Sequence, residues 1–197
     1  MTERTTEITT LNTLINTLMD SIDVYTKPAE DIHDPQLRER FLSRARERQQ
    51  AVGGLQAAVA RMGGDPADDT STLGEAHRFF MNIKEAVTGT DDTAILQEVD
   101  RGESYLKDKF ETALRSTDLS PDARTAIDQA WSTVKEGHDE MSALKHRREG
   151  AEDYAERQTD ATSARQQEYA SESDRSGTAG GTFSGTDERS SRNDSLI

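Results

Sequence analysis

The stretch from Ile95 to Leu114 constrains the fold more than any other part of the chain. Its apolar residues Leu96, Val99, Leu106, Phe110 and Ala113 recur at intervals of three and four, the spacing of one helix face. Glu103 falls on the same stripe, between Val99 and Leu106. Burying an unpaired carboxylate is very costly, so a core-facing Glu103 has to meet a cation, a metal, a proton or water. The chain therefore needs a helical core with something polar standing inside it.

The rest of the sequence supplies that core. Ile8, Leu11, Leu14, Ile15, Leu18, Ile22, Tyr25, Ala29 and Ile32 form a helical stripe, with Pro28 inside it to kink or tighten the last turn. Asp34-Pro35 reads as an N-cap followed by proline at the first helical position. It opens a second helix with Leu37, Phe41, Ala45, Val52, Leu55, Val59 and Met62 on one face, closed by Gly63-Gly64. Gly53-Gly54 inside that helix costs roughly 1 kcal/mol per residue against alanine. The pair reads either as a close approach by another backbone or as part of an exposed face.

Residues 65–72 are loop-like, and the capping-box spacing of Thr72 and Glu75 opens a shorter helix. That helix turns Leu73, Ala76, His77, Phe80, Ile83 and Val87 inward and is closed by Gly89. Thr90-Asp91-Asp92 starts the third long helix, which carries Glu103 and runs to about Ser116. Ser120-Pro121 caps a fourth, with Ala123, Ile127, Trp131, Val134, His138, Met141 and Leu144 on its inner stripe. Short links make helices one and two, and three and four, antiparallel neighbours. The long link between the pairs has to run back along the bundle.

The expected fold is therefore all-α: a ferritin-like four-helix bundle over residues 1–149, with a long helical crossover between helices two and three. Residues 150–197 lose the apolar period and fill with Ser, Thr, Gly, Arg and acidic residues. They are expected to form a disordered polar tail, with the fourth helix extending towards Tyr169.

Composition narrows the function. A net charge of −14 argues against nucleic acid as a general partner, which needs a basic face. The absence of cysteine removes disulfides, thiolate zinc sites and cysteine nucleophiles together, and fits a reducing cytoplasm. No basic start with an apolar core opens the chain, and no apolar run approaches about 18 residues, so neither secretion nor membrane spanning is expected. No glycine-rich phosphate loop follows a strand, and no Gly-x-Ser-x-Gly elbow is present.

Several segments together are similar to a known family. Leu11-Asn12-Thr13-Leu14-Ile15 through Asp20 and Tyr25, Gly63-Gly64-Asp65-Pro66, His77-Arg78, Arg101-Gly102-Glu103 and His138-Asp139 resemble a bacterial ferritin-like four-helix-bundle family of unknown function. The resemblance spans about residues 8–146. Where that family usually has Trp two residues after His-Arg, this chain has Phe80. The resemblance implies the bundle fold, kinship with iron-binding bundles and an association with stress, without an agreed activity.

A ferritin-like di-iron centre takes one Glu from each of two helices and a Glu-x-x-His from each of the other two. The one Glu-x-x-His here, Glu30-Asp31-Ile32-His33, lies at the end of helix one. Lys135 stands three before His138, and Gln50 three after Glu47, so the standard set is incomplete. Counting from the short turns places Asp20, Arg48, Glu103 and His138 at a similar level. Two readings follow. In the preferred one, Arg48 supplies the cation to Glu103 or Asp20, His138 completes a hydrogen-bonded layer, and a non-catalytic bundle with no cofactor results. In the other, Asp20, Glu47, Glu103 and His138 form a reduced iron or manganese site of an iron-handling protein or oxidase. Under either, apolar surface beyond the needs of one core would serve homo-oligomer contacts through the helix faces.

Overall fold

The computed structural model describes residues 2–68 and 92–177, with side chains from residue 3 to 168. All regular structure among them is helical: α1 (Thr2–Ala29), α2 (Pro35–Arg61), α3 (Asp92–Leu114) and α4 (Pro121–Gly177). None of these helices is long and apolar enough to cross a membrane. The crossover helix expected around Thr72 to Gly89, with His77 and Phe80, lies outside the described residues.

The helix ends follow local chemistry. Pro28 cannot donate to the ladder, and α1 stops one residue later; the Pro28 carbonyl then accepts from the backbone N–H groups of Asp31 and Ile32. The Asp34 carboxylate accepts from Gln36 N at 2.9 Å and Leu37 N at 3.3 Å, and Pro35 occupies the first helical position. Gly63 ends α2 with φ +74°, a left-handed conformation that glycine adopts without a Cβ penalty. Ser120 Oγ accepts from Ala123 N at 3.3 Å where α4 begins.

Long-range bonds define the topology. The α3 residue Asp92 accepts from His33 N and Asp34 N, both at 2.9 Å, so α2 and α3 start at the same end. Glu7 near the start of α1 accepts from Ser120 N, so α1 and α4 start together at the other end. The two middle helices are thus parallel to each other and antiparallel to the outer two. Residues 62–91 connect the far end of α2 to the near end of α3, as the long link in the sequence requires.

The stripes bury as two apolar clusters. One, towards the α3–α4 turn, joins residues such as Leu11, Ile15, Leu55, Val59, Phe110 and Ile127, with Trp131 partly buried against it. The other, towards the α1–α2 turn, contains Tyr25, Ile32, Phe41, Leu96 and Met141 among others. Each fully buried aliphatic or aromatic side chain contributes on the order of 1.5–3 kcal/mol.

Two stripe positions on α4 differ from the sequence reading. The buried track is Ala123, Ile127, Ala130, Val134, Gly137 and Met141, whereas Trp131 and His138 sit half-buried beside it. Both neighbours satisfy the three–four spacing, and the smaller residue of each pair takes the inner place. Trp131 instead stacks over Phe110, with centroids 6.4 Å apart and planes at 21°.

The chain divides into two units, Met1–Ala151 and Glu152–Ile197. The end of the apolar period at Glu149 does not end the helix, which continues to Gly177. All side chains of residues 151–168 are exposed, and Tyr154 is 66% exposed. Local bonds support this stretch: Gln158 Nε2 donates to the Tyr154 hydroxyl at 2.7 Å, and Thr159 and Thr162 bond back to carbonyls four residues earlier.

Candidate functional site

Between the two apolar clusters, each helix places a buried residue that is not apolar in character at a common level; α3 also buries Asp100, which pairs with Lys145. On α1 it is Ser21, between Leu18 and Val24; on α2, Arg48, between Ala45 and Val52. On α3 it is Glu103, between Val99 and Leu106, and on α4 it is Gly137, between Val134 and Met141. The helical period that builds the two cores also brings these four to one level.

Arg48 and Glu103 are 0% and 1% exposed, and Arg48 Nη2 donates to Glu103 Oε2 at 2.6 Å. A charge-assisted bond of this kind is what a buried carboxylate requires. Burial works to neutralise Arg48, but the Glu103 carboxylate outweighs it and holds the guanidinium pKa above its ordinary value. Arg48 Nε and Nη1 have no hydrogen-bond partner among the described residues.

Tyr25, fully buried on the next turn of α1, meets Phe41 edge-on at 5.4 Å and 82°. Its hydroxyl lies close enough to feel the Glu103 charge but forms no aligned hydrogen bond. Burial first, then Glu103, pushes its pKa well up. Near neutral pH Arg48 is therefore a guanidinium and Tyr25 a neutral phenol.

Gly137 is the member the sequence reading missed. A Cβ built on it would come within 2.9 Å of Glu103 Oε2 and closer still to Arg48 Nη2. The available signal was a glycine in a helix interior on the three–four track, next to the more conspicuous His138.

The four candidate ligands have different surroundings. Asp20 and Glu103 line one crevice between α1 and α3 with Thr17, Ser21, Gly102 and Tyr105, with about 20 Å³ of free space. That is room for a single water. Glu47 turns outward instead, where its carboxylate accepts from Arg44 Nη1 at 2.7 Å. His138 Nδ1 faces Asp139 at 3.3 Å. The structure therefore brings Asp20 and Glu103 together and leaves Glu47 and His138 apart from them. Glu30 is exposed and the His33 side chain is 70% exposed, so the Glu-x-x-His is a polar helix end. Among the described residues, no group of three or more His, Cys, Asp or Glu is placed to hold a metal ion.

Ion pairs surround the layer on the side of the α1–α2 turn. Arg44 donates from Nε and Nη2 to Glu140 Oε2, both at 2.7 Å, and Arg40 also bonds Glu140. Desolvation opposes the Glu140 charge, yet the two arginines hold its carboxyl below the ordinary value. Lys145 Nζ lies 2.9 Å from Asp100 Oδ2, and Arg148 Nη2 lies 2.6 Å from Asp34 Oδ2. Burial likewise opposes the Asp92 charge, but the backbone donors of His33 and Asp34 outweigh it and its pKa is lowered.

These features define an all-helical bundle organised around a buried arginine–glutamate pair. A family model described as a domain of unknown function (DUF2383) matches residues 6–116, and the chain belongs to that family. The match takes in most of α1 and all of α2 and α3, including Arg48 and Glu103, and ends before α4. No curated protein matches the chain.

Proposed function

We propose that this chain is a non-catalytic ferritin-like bundle in which a salt-bridged layer stands at the level where iron-binding relatives hold metal. The observation that carries this reading is the position of Arg48: a fully buried guanidinium bonded to Glu103, the inward carboxylate of α3. A cation already at the centre disfavours a second, metallic one, because like charges in a desolvated site repel strongly. A di-iron centre does not fit this donor set, since Glu47 is engaged by Arg44, His138 faces Asp139, and Lys135 pairs with Asp139. The parallel course of α2 and α3 supports the ferritin-like topology. A cytoplasmic setting and a role in stress are consistent with the missing cysteines and the resemblance.

The second reading, a divergent iron or manganese protein, draws on the crevice that Asp20 and Glu103 share. Adding ferrous iron in air to protein freed of metal by chelation separates the two. The expected result is no stoichiometric uptake and no rapid oxidation. Two irons per chain, with oxidation abolished by His138→Ala, would establish the second reading in place of the first.

A further inference from the structure

We infer that Gly137 is the positioning residue of the polar layer: its missing side chain is the space that seats the Arg48 guanidinium against Glu103 and sets the register of α4. This deepens the reading of the layer as a structural unit and rests on it. The geometry is specific. An added Cβ would sit 2.9 Å from Glu103 Oε2, 3.3 Å from Arg48 Cζ and nearer still to Arg48 Nη2. Such an overlap is cheap when a flexible side-chain end can swing into solvent. Arg48 is 0% exposed and bonded to Glu103, so its end cannot swing into solvent without breaking that pair.

The neighbouring stripe positions explain why the gap acts as a register mark. One turn away in either direction, α4 presents Val134 or Met141, both fully buried side chains. Sliding α4 by a turn would press one of them on the guanidinium and leave the space at Gly137 facing apolar residues. Apolar packing alone discriminates weakly between such registers, whereas a buried charged pair that fits in one place penalises the rest. A single buried polar residue fixes coiled-coil register by the same logic.

Gly53 and Gly54 provide an internal contrast. Both lie in the interior of α2, both are exposed, and an added Cβ at either meets nothing within 4 Å. Alanine should raise stability at those two positions, as expected for a glycine inside a helix. At Gly137 the sign should invert.

The test is denaturant unfolding of the full chain, with chelator throughout so that metal plays no part. Gly137→Ala is expected to lower the midpoint, while Gly53→Ala and Gly54→Ala raise it. In a background carrying Arg48→Met and Glu103→Leu together, Gly137→Ala should no longer lower the midpoint. Should that background fail to fold, Arg48→Lys replaces it: the guanidinium nitrogens are gone, and the loss caused by Gly137→Ala should shrink. A midpoint raised by Gly137→Ala in the native background would overturn the inference. So would an equal loss whether or not the guanidinium is present, which would put the obstruction elsewhere. Iron uptake is measured separately, so failure here and failure of the metal-free reading are distinguishable.

Discussion

Towards the α3–α4 turn, the apolar cluster draws on all four helices, and α4 alone contributes Ala123, Ala126, Ile127, Ala130 and Val134 as buried residues. Towards the α1–α2 turn, α4 contributes Met141, with Leu144 partly buried, and then turns charged. Glu140, Lys145 and Arg148 of α4 there meet Arg44, Asp100 and Asp34, while Asp92 clasps the α1–α2 turn. Where α4 runs short of apolar side chains, ion pairs and carboxylate caps hold it instead. One half of the bundle thus rests mainly on apolar burial, and the other depends more heavily on charged groups that are screened by salt.

The polar layer touches both halves, so breaking it should produce the largest effect. Glu103→Gln leaves Arg48 buried without its counter-charge, which typically costs about 3–5 kcal/mol. A double-mutant cycle with Arg48→Met, read in denaturant, should give a large coupling energy that persists with chelator. A coupling near zero would mean the two side chains do not depend on each other.

Next comes the apolar half by itself. Ile127→Ala empties space in a tightly buried apolar cluster, and a loss of about 2–5 kcal/mol is expected. The loss should be the same at pH 4 and pH 7. A strongly pH-dependent loss would blur the division between the halves.

Acidification should act on the other half. The Asp92 and Glu140 carboxyls are held below their ordinary values of 3.8 and 4.5. Their contribution is therefore fully present above those values and is lost as pH falls through the lower, folded ones. Hydrogen exchange at pH 3 to 5 should show the α1–α2 turn and the first turns of α2 and α3 losing protection before Ile127 and Phe110. Asp92→Asn, which keeps shape but weakens the clasp, should flatten this dependence. Simultaneous loss of protection at both ends would erase the distinction.

The smallest effect expected is a gain. Gly53→Ala, on an exposed face beside the apolar cluster, should raise stability by roughly 0.5–1 kcal/mol, visible as a modest rise in Tm.

Much of this architecture was legible because it depends on local period and local caps. The stripes of α1, α2 and α3, the Asp34-Pro35 start and the Gly63 stop all follow from residues within a few positions of each other. The Arg48–Glu103 level was also accessible, since two short turns and a long crossover fix how far each residue lies from a helix end. Gly137 was not, because 137 and 138 both satisfy the spacing, and the size and metal-binding chemistry of the imidazole draw attention to the histidine. Only the bulk of Arg48 on another helix favours the absence of a side chain there. The Asp92 clasp was equally hidden: it joins residues 58 and 59 positions apart through backbone donors that no side-chain pattern marks. Glu47, the ligand that the metal reading drew from α2, turns outward, where Arg44 on its own helix holds it at the surface.

The buried pair also divides the chain in a particular way. Arg48 belongs to the helical hairpin made by α1 and α2, whereas Glu103 and the gap at Gly137 belong to the hairpin made by α3 and α4. The one bond between the two central charges, Arg48 to Glu103, therefore runs from one hairpin to the other. Each could assemble its apolar stripe alone only by leaving an ion desolvated or by staying open to water at that level. Completion of one half is therefore coupled to the arrival of the other, an arrangement that favours a cooperative transition over stepwise assembly.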